Sequence, residues 1–372
     1  MDRTYLLALA AVLVVEKIGE KSKSRRKWAK DWLLNRSTLS HTHLLEELRL
    51  EPADWHNYLR MDENTYGKLL RLVTPLIERK NTHLRQCISP HERLTATLRF
   101  LATGRSYEDL KFSVIISPQA LGCIIPETCQ ALYTVLKDEY IKVRINKKKS
   151  VPKCEDDWKA ISKDFDERWN FPNCLGAMDG KHVRIAPLPN SGSYFYNYKG
   201  SHSLVLLAMV NANYEFDMCY FGTNDRVSDG GVLKNTRFYD KLVNHELKIP
   251  APSKSKYSER PLAYVFVGDE AFALRDDFLK PIAQKQLNSD RRIFNYRLSR
   301  CRRIVKNVFG ILAARFRIFH TEINLKLESI EKVVWVHAVR CITFYEGKLL
   351  LGTARLNVLI MKIWNVVKFY LV

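Results

Sequence analysis

The sequence predicts an α/β domain preceded by an all-helical N-terminal domain. Three observations predict it. Apolar residues recur at helical spacing from Leu44 to Val143, short apolar strands begin after Phe171, and a long helix with one apolar stripe ends near Ile318. The chain has 372 residues, enough for two domains with a sizeable core, and 46% hydrophobic content excludes a disordered chain. The expected divisions are a basic segment 1–43, a helical domain 44–145, a linker 146–170, the strand-bearing domain 171–333 and a tail 334–372.

The N-terminal stretch Tyr5 to Val15 is apolar, but Arg3 is balanced by Asp2 and no small-residue cleavage site follows, so a packed helix is expected. It is too short to span a bilayer, and Leu356 to Val372 is interrupted by Lys362 and Lys368, so no membrane association is expected. Lys21 to Lys30 reads K-S-K-S-R-R-K-W-A-K, a cation cluster suited to nuclear import, to nucleic-acid contact or to a solvated segment. A net charge of +20 asks for a polyanionic partner, nucleic acid being the commonest. The eight cysteines form no Cys-x-x-Cys pair and no zinc-finger spacing, which fits a reducing compartment.

In the helical part, Leu44, Leu48, Leu69, Leu70, Leu72 and Val73 set the apolar face. Ser89-Pro90 with Glu92 opens a helix that Gly104 stops. A short helix follows at Ser106–Leu110, another starts at Ser117-Pro118, and Pro126 is expected to open a longer one through Glu139. This spacing is helix-turn-helix-like. The would-be recognition helix, Pro118 to Ile124, holds only Gln119 as a base-reading side chain and no cation, which favours a packing module.

The strand-bearing part begins with a strand through Ala177 and Met178, leading into Val183–Ile185. Leu204–Val210 and Phe216–Phe221 follow, then a glycine-rich turn at Ser228–Gly231 and a helix from Val232 to Leu242. Leu262–Val267 is expected as a fourth strand and Arg297–Ile318 as the closing helix. In such sheets, ligands gather at strand ends. Asp179 and Asp269 are each expected to terminate an apolar strand, and on neighbouring strands their carboxylates converge. Two hard oxygen ligands suit Mg²⁺ or Mn²⁺ and phosphodiester cleavage. Each Asp alone also suits a turn or helix cap.

These residues carry a resemblance. Asn170 to Ile185, Ser193 to Ser201, Ser228–Gly231, Gly268–Phe272 and Asn295 through Ile318 resemble the Harbinger-type (PIF/Harbinger) transposase-derived nucleases, a branch of the DDE superfamily endonucleases. Ser89–Leu94 and Pro126–Cys129 resemble the helical part of that family. The resemblance implies an RNase H-like catalytic domain and a divalent-metal-dependent DNA endonuclease working in the nucleus. Asp179 and Asp269 match the first and second catalytic acids. A separate Myb-like DNA-binding partner is implied as well.

The chain departs from that pattern at Lys306, where the family has its third acid. A protonated lysine offers no metal ligand. At about 4 Å and an effective dielectric of 20, unit charges interact by roughly 4 kcal/mol, and a divalent ion doubles that. No Asp or Glu lies between Arg291 and Thr321, so this helix supplies no substitute. The expected function is therefore an impaired nuclease, or a non-catalytic DNA- or chromatin-associated relic or decayed transposon copy. Lys181, His182, Lys199, Arg302, Arg303 and Lys306 are candidate phosphate contacts, and Tyr194, Tyr196 and Tyr198 alternate along a segment expected to be extended. Asp229, before two glycines, suits a turn but is available to the site. The usual Leu-His-Asn motif is missing from Val336 to Tyr345.

Overall fold

Capping residues set most helix starts. A computed structural model describes residues 30–83, 86–136, 152, 154–224, 228–255, 258–283, 285 and 288–336. The segments read above as Tyr5–Val15, most of Lys21–Lys30, Lys147–Lys149 and most of the tail lie outside them. The helical part comprises α1 (Asp31–Leu34), α2 (Arg36–Leu39), α3 (His41–Leu48), α4 (Pro52–Leu59), α5 (Glu63–Ile77), α6 (Pro90–Thr103), α7 (Tyr107–Val114) and α8 (Pro118–Leu136). Ser89 and Glu92 form a reciprocal capping box at α6, and Gly104 ends that helix at φ 66°, as the sequence indicated.

Helix α8 corrects one expectation. It runs unbroken through Pro126 rather than restarting there, and its first turn is already helical at Pro118. Helices α7 and α8 meet at 93° through a short turn in which Ile115 adopts φ 54°. Leu121 and Ile124 of the would-be recognition helix are buried, which fits packing. Among the described residues no single helix is long and apolar enough to cross a membrane; the bent α7–α8 pair passes on composition alone.

Residues 146–170 were expected to be a linker, yet α9 (Glu155–Trp169) forms there and packs on the sheet. Trp158 is fully buried, its indole N–H donates to the Leu247 carbonyl at 2.8 Å, and its ring meets Phe266 edge-on at 5.7 Å. That large apolar payload with a satisfied N–H explains why a chain rich in charge folds here.

The sheet has β1 (Cys174–Arg184), β2 (Ser203–Val210), β3 (Phe216–Asn224), β6 (Val265–Val267) and β7 (Phe278–Leu279) in the order β3-β2-β1-β6-β7. Strands β1, β2 and β3 are antiparallel, whereas β6 runs parallel to β1 and to β7. The expected fourth strand Leu262–Val267 is divided: an exposed hairpin of β4 (Ser253–Ser255) and β5 (Ser258–Leu262) precedes the buried β6. The expected helix Val232–Leu242 is two helices, α10 (Asp229–Lys234) and α11 (Arg237–Val243). The closing helix α12 begins at Ser289 rather than Arg297 and ends at Arg315, followed by a 3-10 turn at Arg317–His320. Asn288 caps it by accepting from the Arg291 N–H at 2.9 Å, a signal eight residues earlier in sequence than expected.

One face of the sheet packs Ala177 and Val183 against Leu298, Cys301, Ile304 and Val305 of α12, in an apolar cluster that also takes in Leu101, Leu110 and Leu121 of the helical part. The other face packs Leu175, Met178 and Phe266 against Val232, Leu233 and Phe238. The sheet is thus covered on both faces; α6, α7 and α8 share its core, while Leu45, Trp55, Leu59, Leu69, Val73, Leu94 and Leu132 form a separate cluster within the helical part.

Candidate metal centre

Strand β6 pairs with β1 only as far as Ala177–Val267, and each strand carries an aspartate two residues beyond that pair. Asp179 therefore does not terminate its strand, as expected; it sits mid-strand opposite Ala208 of β2, and β1 runs on to Arg184. What ends there is the neighbour β6. The gap it leaves opens space beside Asp179.

Asp269 is set at that gap by its loop. Phe272 and Phe278 stack at 4.8 Å beneath Gly268, where a Cβ would come within 2.6 Å of Phe272 and 2.7 Å of Phe278. The turn tightens further because the Asp269 Oδ1 accepts from the Ala271 N–H at 2.9 Å. The turn-capping role that any such Asp favours is real here, and Oδ2 remains directed to the site.

The third carboxylate comes from the opposite face of the sheet. Alternation along β1 places Asp179 on the α12 face and Gly180 on the α10 face. A Cβ at Gly180 would overlap the Asp229 carboxylate, so the missing side chain is what admits Asp229. Ser228 rather than Asp229 caps α10, accepting from the Gly231 N–H. Gly230 lets this helix start lie against the loop after Asp269, since a Cβ there would sit 2.7 Å from the Ala271 carbonyl. Asp179, Asp229 and Asp269 each offer a carboxylate oxygen, and these all lie within 4.8 Å of one another. The sequence left Asp229 between turn and site; the fold brings it to the site.

A cation from α12 faces them. An Arg302 terminal nitrogen lies 3.8 Å from Asp179 Oδ1 and 3.9 Å from Asp269 Oδ2, and the Arg302 side chain is only 12% exposed. Its Nε is buried with no hydrogen-bond partner among the described residues. Arg302, expected as a phosphate contact, thus bridges two carboxylates at distances beyond a direct hydrogen bond. Lys306, one turn further on, is exposed. Burial raises the Asp179 pKa to about 6, against the opposing pull of Arg302 and Lys306, with Asp269 and Asp229 adding to the rise.

The other candidates divide. Arg303 acts on Tyr214 in the turn between β2 and β3, whose phenol is raised by burial and bonded by Asn307, so it belongs to another side of α12. His182 meets Tyr198 edge-on at 5.6 Å, and the Lys199 ammonium lies over the Tyr198 ring at 5.3 Å. Burial and Lys199 lower the Lys181 pKa, which groups Lys181, His182 and Lys199 beside one exposed tyrosine. The segment carrying Tyr194, Tyr196 and Tyr198 is a series of turns rather than extended, and all three rings are exposed.

Hard carboxylate oxygens gathered at this spacing are the donor chemistry of a Mg²⁺ or Mn²⁺ site. No curated protein and no solved structure matches the chain. Residues 178–340, the stretch that holds all three aspartates, match the family described as DDE superfamily endonuclease.

Proposed function

We propose that the chain is a Harbinger-type, transposase-derived protein whose α/β domain is RNase H-like and built for divalent-metal-dependent cleavage of DNA phosphodiesters. The observation that carries this reading is the convergence of Asp179, Asp229 and Asp269. The mixed sheet order, with the two parallel strands beside β1, supports it. Asp229 supplies the third oxygen ligand that α12 lacks, because Lys306 stands where the family places an acid.

Mg²⁺ or Mn²⁺ held by the three carboxylates would supply Lewis-acid stabilisation of charge on the phosphoryl and leaving oxygens. The chain's own residues do the rest. Asp179 sheds its proton near pH 6 and becomes a full ligand. Arg302 offsets part of the charge of Asp179 and Asp269 in the metal-free protein, and its planar fork suits a phosphate. Lys181 and Lys199 hold the phosphate backbone and Tyr198 offers a stacking face. Nuclear residence and targeting by a separate Myb-like protein belong to the same reading.

Cleavage of supercoiled plasmid with Mg²⁺ or Mn²⁺ tests it, using this chain, Lys306→Glu, and Lys306→Glu combined with Asp179→Ala. We expect slow nicking by this chain, faster nicking by Lys306→Glu and none by the double variant. No cleavage by any of the three, together with no Mn²⁺ binding, would overturn the reading. A second reading, a non-catalytic DNA-associated protein, is favoured by the Arg302 guanidinium between two of the aspartates. It is the one left if DNA binds while Mn²⁺ does not.

A further inference from the structure

Away from the carboxylates, guanidinium groups converge on a cavity of about 470 Å³ between the helical part and the end of α12. Arg60 ends α4, Arg99 lies on α6, Arg105 follows α6 and Arg317 belongs to the 3-10 turn. Burial, and then the neighbouring charges of Arg99, Arg317 and Arg315, lower the Arg60 pKa; burial lowers that of Arg99, with Arg105 adding to it. Arg105 pairs with Asp109 at 3.3 Å. Asp54 lines the cavity, but among the described residues no carboxylate lies within ion-pairing reach of Arg60, Arg99 or Arg317. Arg60 also occupies the left-handed region at φ 60°, a conformation that disfavours a side chain. One terminal nitrogen donates to Asn57 Oδ1 at 2.7 Å, while the buried Nε has no partner among the described residues. Desolvation and mutual repulsion are thus combined at one place and offset only in part: the Arg99 guanidinium lies 4.2 Å from the Tyr58 ring centroid and donates to the Tyr58 carbonyl at 3.4 Å, while Arg60 and Arg317 have no carboxylate partner among the described residues.

An adjoining cavity of about 270 Å³ shares Tyr58, Leu44, Arg99 and Arg105 and is also lined by His41. His41 is 3% exposed, and its Nε2 lies 2.5 Å from the Thr95 hydroxyl oxygen. The Thr95 hydroxyl also lies 2.8 Å from the His91 carbonyl and 3.2 Å from the Glu92 carbonyl, and the imidazole tautomer sets which of His41 and Thr95 donates to the other. Burial holds the ring neutral, its pKa lowered to about 4. Nδ1 is buried, closed off from the cavity, and has no partner among the described residues.

We propose that the larger cavity is a site for the phosphate group of a small ligand, held on Arg60, Arg99, Arg105 and Arg317. The chemical class is inorganic phosphate or a small phosphate monoester. The site does not depend on the nuclease reading. Helix α12 runs from Arg302 to Arg315 between the two places, about 20 Å of rise.

Isothermal titration of the full chain tests the proposal, with ribose 5-phosphate, inorganic phosphate and a short DNA duplex as probes at fixed ionic strength. Ribose 5-phosphate and inorganic phosphate should each saturate one site and compete with each other for it. Arg60→Gln with Arg317→Gln should weaken both small probes on the order of 100-fold, from two lost charge-assisted hydrogen bonds. The exposed Arg317→Gln alone gives a smaller loss in the same direction without touching the core. No saturable binding of either small phosphate overturns the proposal, and so does binding that the arginine substitutions leave unchanged. If those substitutions weaken only the duplex, the arginines serve a DNA backbone and the proposal falls.

Discussion

At the end of β6, three carboxylates share their space with one guanidinium; between α4, α6 and the 3-10 turn, guanidinium groups from Arg60, Arg99, Arg105 and Arg317 share theirs with Asp54. The charge of the acidic cluster is partly offset, by Arg302 and, below about pH 6, by a proton on Asp179. The arginine cavity has no such adjustment, because a guanidinium stays charged throughout the accessible pH range. A carboxylate cluster can therefore wait for its ion at modest cost, whereas of the clustered arginines only Arg105 has a carboxylate partner among the described residues and the others stay charged until an anion arrives.

The largest effects that sharpen this contrast fall on the carboxylates themselves. Asp229→Asn and Asp269→Ala should each weaken Mn²⁺ binding by at least about 100-fold, the upper end of what loss of a partner behind a ligand costs. Electron paramagnetic resonance of free Mn²⁺ reads this directly, and unchanged affinity in Asp229→Asn would remove Asp229 from the site. Arg302→Gln should move affinity the other way, tightening Mn²⁺ more than about tenfold, since a unit charge near 4 Å from a divalent ion is worth several kcal/mol even at an effective dielectric of 20. Weaker binding in that variant would instead make Arg302 a strut that holds the aspartates in place.

Proton linkage gives the next effect. The Asp179 pKa rises on folding from 3.8 to about 6, so the native state binds more protons than the unfolded chain between these values. Stability of the metal-free protein then falls as pH rises through that window, by about 3 kcal/mol at most. Urea unfolding should show Asp179→Asn more stable than the parent at pH 7, with the advantage gone at pH 4. A parent whose stability is flat from pH 4 to 6 would contradict the raised pKa. The smallest effect belongs to Gly180→Ala, which crowds the Asp229 carboxylate and should weaken Mn²⁺ about tenfold while the fold persists, as followed by circular dichroism.

Much of this arrangement was legible in the sequence. Asp179, Asp269 and the strand-to-helix order around them were readable because apolar runs and their breaks mark strands, and because the glycine-bearing motifs around them are distinctive. Asp229 was readable only as a candidate: a helix start beside two glycines looks the same whether its carboxylate meets solvent or a metal site. The notch at Gly180 that decides between these is a cross-sheet relation, invisible to local pattern. Arg302 was placed on the right helix but given the wrong neighbour, since the rotation of α12 about its axis is set by Cys301 and Ile304 packing on Ala177 and Val183. Helix α9 went unread because its acidic first turn, Glu155-Asp156-Asp157, and its charged outer face resemble a solvated connector. The arginine cavity was not readable at all, its four arginines coming from separate segments.

Leu101, Leu110 and Leu121 belong to the same apolar cluster as Ala177 and Leu298. Helices α6, α7 and α8 are therefore expected to unfold with the sheet, with slow-exchanging amides in α6, α8, β2 and α12 as one unit, while the separate apolar cluster of Leu45, Trp55, Leu59 and Val73 lets α3, α4 and α5 open at lower cost.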